Sequence, residues 1–377
     1  MEKQFLSSQN VLNSWIKTPK YLAVKDLLQK EILRLKPGDK ILTMREIMAN
    51  ISVSQSTLDR ALRELEEENL ISRRWGSGIY VNPKGRRRKK TRLVGVCVSD
   101  ITDRFCTLLI KGIEQALSEE NHRIIVCNGY TEFDKELNLI HSLKKNIDGL
   151  IINPLTQNVY NPEYGKYFVN LNKSGECPFV IVDIIIPHVN APFVGFDNRK
   201  TFYEVTLRAV RSLNAGRLIF LGPPESLPGA ERFSGFKQAL QEAQVPKENI
   251  KVVYLEPGSP SFSLPREYFA APKPAVLFVA NPHILPKVLR YIHEQQLRIP
   301  QEVVVISVVE EDYKDYVMAP IIGLVKPSAE LGKEVARILG NLLEKRPVPE
   351  VTRLNFRMDI PDILKGERNF RKGESVR

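Results

Sequence analysis

The sequence contains few of the residues that build disulfides and metal sites. Among its 377 residues are four cysteines and five histidines. The histidines are scattered, and neither paired nor metal-type spacing is found among the cysteines, which are Cys97, Cys106, Cys127 and Cys177. Because Cys97 and Cys127 lie within apolar runs that are typical of strands, we expect buried free thiols. The sequence predicts no metal and no cofactor.

Long apolar runs are also missing. No run approaches the roughly 20 residues of a membrane span, and the first residues, MEKQFLSSQNVLNSW, lack the apolar core and cleavage site of a signal peptide. We therefore expect a cytoplasmic protein without a membrane partner. Walker, H-E-x-x-H and G-x-S-x-G motifs are absent, as is a G-x-G-x-x-G motif after a strand, which argues against an enzyme. The length fits two or three domains.

Negative charge is scarce in the first quarter of the chain. Residues 1–92 carry ten Lys and ten Arg against three Asp and seven Glu, so all but one of the eleven excess positive charges lie there. A segregated basic surface is typical of phosphate binding and predicts salt-dependent binding to double-stranded DNA. The run GRRRKKTR at 85–92 fits a self-repelling linker and equally an auxiliary phosphate or minor-groove contact, and both interpretations are open.

The segment Leu35–Val81 has the pattern of a winged helix-turn-helix. A short helical pattern at 44–49 is followed by a second helix that begins at Ser54. The apolar face of this second helix consists of Leu58, Ala61, Leu62 and Leu65. Two β-type runs then flank Gly76-Ser77-Gly78, which predicts a hairpin with a tight turn. In such a domain the second helix can enter the DNA major groove, and a helix at 19–35 is predicted to open it.

The same segment resembles the GntR family of bacterial transcription regulators. The shared motifs are an L-x-P-G-D start, an Arg-Glu pair, V-S-x-x-T, A-L-x-x-L, and N-L-I-x-R-x-x-G-x-G-x-x-V ending at Val81. The resemblance implies that Arg45 contacts the DNA backbone and a base, and that Thr57 belongs to the recognition helix. With Arg73 as a further phosphate contact, the predicted DNA-binding residues are Arg45, Ser54, Gln55, Ser56, Thr57, Asp59, Arg60, Arg63, Arg74, Gly76, Ser77 and Gly78. A solvated helix or wing face is the alternative for Arg60, Arg63, Arg73 and Arg74.

Two positions of the recognition helix depart from the family. Gln55 stands where an arginine is commoner, and because Gln pairs with adenine whereas Arg prefers guanine, we expect a different operator. Asp59 falls where many members carry a basic residue. It would repel phosphate, so three roles are open for it: reading a cytosine amino group, capping a side-chain network, or facing solvent.

After the linker the pattern changes to alternating strands and helices. Strand-like apolar runs occupy 93–98, 123–128, 149–153, 178–183, 217–222, 251–256, 275–280 and 303–308. Helical stretches near 105–120, 133–145, 160–174, 200–213, 230–243 and 282–296 separate them. Two successive β-α sets predict an α/β fold with two doubly wound parallel-sheet lobes. Ligands of such sheets bind beyond the carboxyl ends of the strands, here in a cleft between the lobes.

This second region resembles the LacI-type sensor domain, which is similar to periplasmic sugar-binding proteins. The resemblance runs from about Leu93 to about Arg346 and rests on ordered pieces such as LVGVCVSDITDRF, LKKNIDGLIINP, PFVIVD, ERFSGFKQAL and KPSAELGKEVARIL. It implies that an acid and an aromatic of the first loop face the cleft, that an acid ends the fourth strand, and that the R-x-x-G-F arginine binds ligand. The predicted effector-binding residues are Asp100, Phe105, Asp183, Arg232, Asn281 and Glu310.

Carboxylate, amide and guanidinium groups suit the vicinal hydroxyls of a polyol, and an aromatic covers an apolar sugar face. A capping role at a strand end or turn is the alternative for Asp100 and Asp183, and Asp197 fits a structural role where the chain crosses between lobes. The sugar-binding aspartate of the family is Val309 here. Either Glu310 or Glu311 substitutes for it, or the effector has fewer hydroxyls, or it carries a phosphate or carboxylate.

These observations predict a modular regulator. Its expected parts are an N-terminal extension (1–18), a winged helix-turn-helix (19–82), a basic linker (83–92), a sensor and dimerisation domain (93–360), and a polar tail (361–377). We expect a homodimer that reads a pseudo-palindromic operator and represses carbohydrate genes under the control of a small sugar-like effector. The alternatives are a cytosolic solute-binding or scaffold protein without specific DNA binding, and an enzyme on an α/β scaffold.

Overall fold

The computed structural model describes residues 20–51, 53–68, 70–74, 77–82, 90–129, 133–213, 215–222, 227–255, 262–270 and 274–365. The chain divides into two compact units, Met1–Lys90 and Thr91–Arg377. The extension 1–18 and most of the linker and tail predicted from the sequence lie outside the described residues. No described helix has the length and apolar character that crossing a bilayer requires.

The first unit contains three helices and a hairpin, as the sequence predicts. They are α1 (Lys20–Arg34), α2 (Met44–Ile51), α3 (Gln55–Glu67), β1 (Ile71–Arg74) and β2 (Gly78–Val81). Thr43 and Glu46 begin α2 as a capping box, because the Thr43 backbone N–H donates to the Glu46 carboxylate at 2.6 Å and the Glu46 N–H donates to Thr43 Oγ1. The predicted apolar face of α3 is buried in the common core of all three helices and both strands.

Glycine at 78 is required by the wing. The strands β1 and β2 pair antiparallel from Ile71↔Val81 to Arg74↔Gly78, and Gly78 has a φ of +122°. A Cβ atom there would also lie 2.6 Å from Cε of Lys40, whose backbone bridges to Tyr80. Any residue other than glycine would be strained in this backbone conformation.

The first lobe of the second unit is a parallel six-stranded sheet. Its strands are β3 (Leu93–Val98), β4 (Arg123–Asn128), β5 (Gly149–Ile152), β6 (Phe179–Val182), β7 (Phe193–Phe196) and β13 (Val351–Leu354). Their order is β13-β7-β6-β5-β3-β4. One face packs on α4 (Arg104–Glu119) and α11 (Ser328–Leu343), and the other contacts α5 (Phe133–Leu143) and α7 (Pro162–Ser174). The short helix α6 (Thr156–Val159) precedes α7.

The second lobe repeats this architecture with one antiparallel edge. Its strands are β8 (Arg217–Leu221), β9 (Ile250–Val253), β10 (Ala275–Val279), β11 (Val303–Glu310), β12 (Ile322–Lys326) and β14 (Arg357–Asp359). Their order is β14-β12-β11-β10-β8-β9, and only β14 runs antiparallel to its neighbour. The helices α8 (Asn198–Ser212) and α9 (Leu227–Glu242) cover one face, and α10 (Leu285–Glu294) covers the other. A final short helix, α12 (Asp362–Lys365), follows β14.

The chain crosses between the lobes three times: from β7 to α8, from β12 to α11, and from β13 to β14. These crossings bring the carboxyl ends of both sheets to one cleft, so the predicted α/β class with a winged domain and two parallel-sheet lobes is confirmed. The sequence analysis missed β7, β12, β13 and β14. These strands are short, and β13 and β14 are half-exposed and lack an apolar run. The four cysteines are free and buried, as predicted.

Candidate functional site

The amino end of α3, the second helix of the helix-turn-helix, is exposed. Ser54 caps this helix: its Oγ accepts from the Thr57 backbone N–H at 3.3 Å and lies 2.7 Å from Thr57 Oγ1. Ser56 Oγ lies 3.1 Å from Ser54 Oγ. Ser54, Gln55 and Ser56 are exposed. A helix amino end with exposed polar side chains is suited to reading base edges and to binding phosphate.

Three arginines extend this surface. Arg45, Arg60 and Arg63 are exposed, and among the described residues no ion pair or hydrogen bond engages Arg45 or Arg63. The guanidinium of Arg60 lies 3.8 Å from the centroid of the Tyr21 ring and 4.0 Å from a Glu64 oxygen. Arg45 and Arg63 are therefore the cations here that are most available to phosphate.

Arg73 does not join this cationic surface, contrary to its predicted role as a phosphate contact. Its Nη1 lies 3.1 Å from Asp59 Oδ1, and its Nε lies 2.8 Å from Glu66 Oε2. Its backbone N–H also donates to Glu66 at 3.2 Å. Arg73 thus links strand β1 of the wing to the recognition helix α3. Of the three roles left open for Asp59, the structure favours the side-chain network, in which its charge is compensated by Arg73.

Lys25 pairs with Glu64 of α3 and with Glu68, the residue that follows this helix. Its Nζ lies 2.5 Å from Glu64 and 2.7 Å from Glu68, while Gln29 donates to Glu68 at 3.0 Å. Burial opposes the charged form of Lys25, but the hydrogen bonds to the two glutamates outweigh it and raise its pKa. Lys25 and Arg73 therefore offset part of the negative charge of the recognition helix. The role of Lys25 is not predicted from the sequence. A lysine among the apolar positions of α1 was the one feature that could have indicated a buried ion pair.

The wing adds a smaller cationic surface. The Arg74 guanidinium lies 4.6 Å from the centroid of the Tyr80 ring, and Tyr80 in turn is hydrogen-bonded to Ser77 with 2.6 Å between the hydroxyl oxygens. Arg74 and Ser77 are exposed. Gly76, which was also predicted to contact DNA, lies outside the described residues.

Asp183 lies in the cleft of the second unit, directly after β6. It has a φ of +65°, and its Oδ1 atom is buried without a hydrogen-bond donor among the described residues. Burial raises the pKa of this carboxyl, against the opposing charges of Lys326 and Arg232. A buried acceptor without a donor costs about 1–3 kcal/mol, so a donor from a ligand would recover free energy here.

Arg232 faces the same cleft from α9. Its Nε donates to Asn198 Oδ1 at 2.8 Å and its Nη1 donates to the Ala280 carbonyl at 2.6 Å. The helix can approach α8 this closely because position 235 is glycine, where a Cβ atom would be 2.1 Å from the Arg199 carbonyl oxygen. Burial lowers the Arg232 pKa, against the charge of Asp183. The guanidinium is thus held in one orientation.

A buried ion pair lies where the chain leaves the second lobe. Nζ of Lys326 is 2.7 Å from Glu310 Oε1, with the side chains 7% and 4% exposed, and Ser328 Oγ donates to Glu310 Oε2 at 2.6 Å. The Lys326 ammonium also lies 4.0 Å from the centroid of the Phe105 ring. Phe105 packs in the core of the first lobe and is buried. Its ring face is therefore occupied by Lys326, whereas the sequence predicts a face open to a sugar.

Two predicted effector residues have local partners. Asp100 is exposed and its Oδ1 accepts from the backbone N–H and the hydroxyl of Thr102, at 2.8 and 2.7 Å. Asn281 caps the short helix after β10, where its Oδ1 accepts from the His283 N–H at 2.9 Å. Asp197, which the sequence analysis considered structural, caps α8 through the Lys200 N–H.

Two ion pairs join the lobes across the cleft. Asp103, the cap of α4 in the first lobe, lies 3.0 Å from Nε2 of His283 in the second lobe. The neighbouring Arg104 pairs with Asp312. The hydrogen bond to Asp103 raises the His283 pKa, and the same bond lowers the Asp103 pKa although burial opposes it. The cleft is therefore bridged on the side of α4.

Comparison with known proteins identifies both units. A model of the gntR family of bacterial regulatory proteins matches residues 20–81, and a periplasmic binding protein-like domain matches residues 207–358. The chain joins a GntR-type winged helix-turn-helix to a periplasmic binding protein-like domain. It is a DNA-binding transcription regulator.

The curated relatives of this regulator match most of its length. An arabinose metabolism transcriptional repressor from Geobacillus stearothermophilus is 25% identical over 355 residues, which covers 91% of this chain and 96% of that protein. The ribose operon repressor of Bacillus subtilis is 25% identical over a match that covers 88% of this chain and 99% of that protein. A LacI family regulator from Enterococcus faecium, solved with bound ribose, is 23% identical with a TM-score of 0.59. The match covers 71% of this chain and 97% of that one. This structural likeness shows that the fold is shared.

Proposed function

We propose that the regulator represses carbohydrate-utilisation genes and is released from its operator by a small sugar-like effector that binds between the lobes. The observation that carries the proposal is the Asp183 carboxylate, which is buried in the cleft with an oxygen that lacks a donor, opposite the fixed Arg232 guanidinium. Sugar hydroxyls donate to carboxylates and accept from guanidinium groups, so one ligand satisfies both. Relatives that carry the names of arabinose and ribose repressors support the sugar class.

The proposed DNA interface is the amino end of α3 with the wing. Gln55 and Ser56 would reach base edges, while Arg45, Arg63 and Arg74 would contact phosphates. Ser54 would position the helix through its cap, and Arg60 would contribute from beside Tyr21. Asp59 keeps a positioning role, since it holds Arg73. The proposed domain bounds are those predicted from the sequence.

Operator binding is proposed to require a homodimer. One winged domain buries too little surface for the affinity that a regulator needs, and two of them match a pseudo-palindromic operator. The effector must then bind one arrangement of the lobes better than the other. A tenfold preference corresponds to about 1.4 kcal/mol per site, coupled reciprocally to DNA affinity.

The test is a gel-shift titration with operator DNA across a series of salt concentrations, repeated with a panel of pentoses, hexoses and disaccharides. We expect log K to fall linearly with log salt and one or a few sugars to weaken binding. Replacing Arg45 and Arg63 together by Ala should flatten the salt slope by about 2. Absence of DNA binding at low salt would favour a solute-binding protein or scaffold, and operator binding that no sugar changes would contradict the sugar effector.

A further inference from the structure

Glu310 and Lys326 lie among the charged groups of the cleft. Glu310 ends β11 and Lys326 ends β12, so both stand at the carboxyl edge of the second sheet. Their charges act on Asp183, and also on His283 at the cleft side of the same lobe. The Lys326 ammonium covers the Phe105 ring of the first lobe at 4.0 Å. The pair is therefore part of the wall that a ligand between the lobes meets.

The charges around Asp183 are already paired with one another. The ion pairs are Glu310–Lys326, Glu231–Arg353, Asp103–His283 and Arg104–Asp312. Arg232 donates through two of its nitrogens to Asn198 and Ala280. Among the described groups, the buried oxygens without a hydrogen-bond donor here are Oδ1 of Asp183, Oδ1 of Asp312 and Oε1 of Glu310, and the last of these lies 2.7 Å from the Lys326 ammonium. The cleft wall thus offers acceptors that need donors, and the charge of its ammonium group is offset by Glu310.

A neutral polyol and an anionic sugar derivative place opposite demands on this wall. Hydroxyl groups can donate to the Asp183 carboxylate, whereas a phosphate or carboxylate brings acceptors and would be repelled by it. An anion needs an available cation nearby. The charge of Arg232 is offset by that of Asp183, and the charge of Lys326 by that of Glu310. If Lys326 turned from Glu310 to an anionic ligand, Glu310 would be left buried and charged without its partner.

We propose that the Glu310–Lys326 ion pair makes the cleft selective for uncharged polyhydroxy ligands and against their phosphorylated or carboxylate forms. Glu310 is the specificity-determining residue, because it occupies the ammonium that an anionic ligand would need. The inference rests on the proposed function, since it concerns the effector of that same cleft.

This assignment replaces one expectation of the sequence analysis. Glu310 was a candidate substitute for the missing sugar-binding aspartate at Val309. One of its carboxylate oxygens faces Lys326 and the other accepts from Ser328, so it acts toward Lys326 instead of reading hydroxyls. Val309 is a core residue of the second lobe. The lost aspartate is thus accompanied by an internal ion pair at the next position.

The experiment compares matched ligands on the full-length protein by calorimetry and thermal shift. The pairs are ribose with ribose 5-phosphate, glucose with glucose 6-phosphate, and galactose with galacturonate, together with arabinose. We expect the neutral member of the binding pair to bind at least tenfold more tightly than its anionic partner. The E310Q substitution removes the negative charge beside the Lys326 ammonium and keeps the side chain nearly the same shape. The ratio of neutral to anionic affinity should then shift at least tenfold toward the anionic ligand, and this shift should be absent from the double variant E310Q/K326Q. The matched control is E311Q, because Glu311 is exposed and accepts from the Ala329 N–H.

The outcomes separate the two proposals. Tighter binding of an anionic partner by the unaltered protein overturns the selectivity, whatever E310Q does, but leaves a sugar-derived effector in place. An unchanged preference in a folded E310Q protein overturns the role of Glu310. If neither sugars nor their anionic partners bind, while operator DNA still does, the sugar effector itself is wrong and this inference falls with it.

Discussion

The two units of this regulator leave opposite charges uncompensated. In the winged unit, Lys25 and Arg73 pair with the acids of α3, and the cations Arg45 and Arg63 remain exposed and unengaged among the described residues. In the cleft of the two-lobed unit, Lys326 is paired and Arg232 is hydrogen-bonded, and Oδ1 of Asp183 lacks a donor among the described residues. In each unit the internal ion pairs belong to the scaffold. The winged unit then presents cations to DNA phosphates, and the two-lobed unit presents a hydrogen-bond acceptor to the hydroxyl groups of a ligand.

The largest test of this comparison removes the fixed cation of the cleft. Arg232→Gln should lower effector affinity by roughly a hundredfold, about 2.7 kcal/mol, because it removes a charged donor held by Asn198 and Ala280. DNA binding without effector should remain. Calorimetry and gel shifts at one salt concentration measure the two properties. Arg199→Gln is the control, since Arg199 is exposed and binds Gln238. Normal induction of the Arg232→Gln protein would remove Arg232 from the effector site.

The next test concerns the buried scaffold pair of the winged unit. Lys25→Met should lower the free energy of unfolding of this unit by about 1–3 kcal/mol, because two carboxylates lose their partner while the apolar stem is preserved. The partial exposure of Glu64 and Glu68 keeps the loss at the lower end of buried pairs. Denaturant unfolding measures it. Lys30→Met breaks an exposed pair with Asp26 and should cost at most about 0.5 kcal/mol. Equal losses in both variants would contradict the structural role of Lys25.

A smaller effect should separate the two classes of arginine in the winged unit. Arg63→Ala should reduce the slope of log K against log salt by about 1, because one phosphate contact is lost. Arg73→Ala should leave that slope unchanged and alter sequence preference or stability instead, since Arg73 binds Asp59 and Glu66. Gel shifts at several salt concentrations, with matched and mutated operators, distinguish them. If Arg73→Ala changes the slope as Arg63→Ala does, Arg73 contacts phosphate after all.

The sequence predicts elements better than it predicts partners. The cap at Ser54, the apolar face of α3 and eight strands follow from local spacing, and the structure contains them. The pairing of Lys25 with α3, of Arg73 with Asp59, and of Lys326 with Glu310 joins residues from separate elements. Local pattern carries no information on such contacts. The same limit explains why Arg73 was assigned to phosphate and Phe105 to a sugar face: each has the right chemistry, and the fold has engaged it elsewhere.

The smallest expected effect comes from the ion pair between the lobes, Asp103–His283. The raised pKa of His283 means that its contribution to lobe closure is fully present below its ordinary value of about 6.5 and is lost as the pH rises through the raised value. The lowered pKa of Asp103 means that its contribution is present above its ordinary value near 3.8 and is lost as the pH falls through the lowered value. Closure should therefore be favoured between about pH 4 and 6.5.

Because His283 is half-exposed, solvent screening keeps the effect small. If effector binding favours the closed lobes, affinity should fall by no more than a few-fold between pH 6 and pH 8.5 in the unaltered protein, and this fall should vanish in His283→Gln. His293→Gln supplies a control on α10 of the same lobe. The measurement also sharpens the comparison between the units. The Asp103–His283 pair would be a reversible part of the cleft scaffold, whereas the raised pKa of Lys25 keeps its pairs with Glu64 and Glu68 charged throughout this range. A fall of the same size in His283→Gln would show that the pH dependence arises from another group.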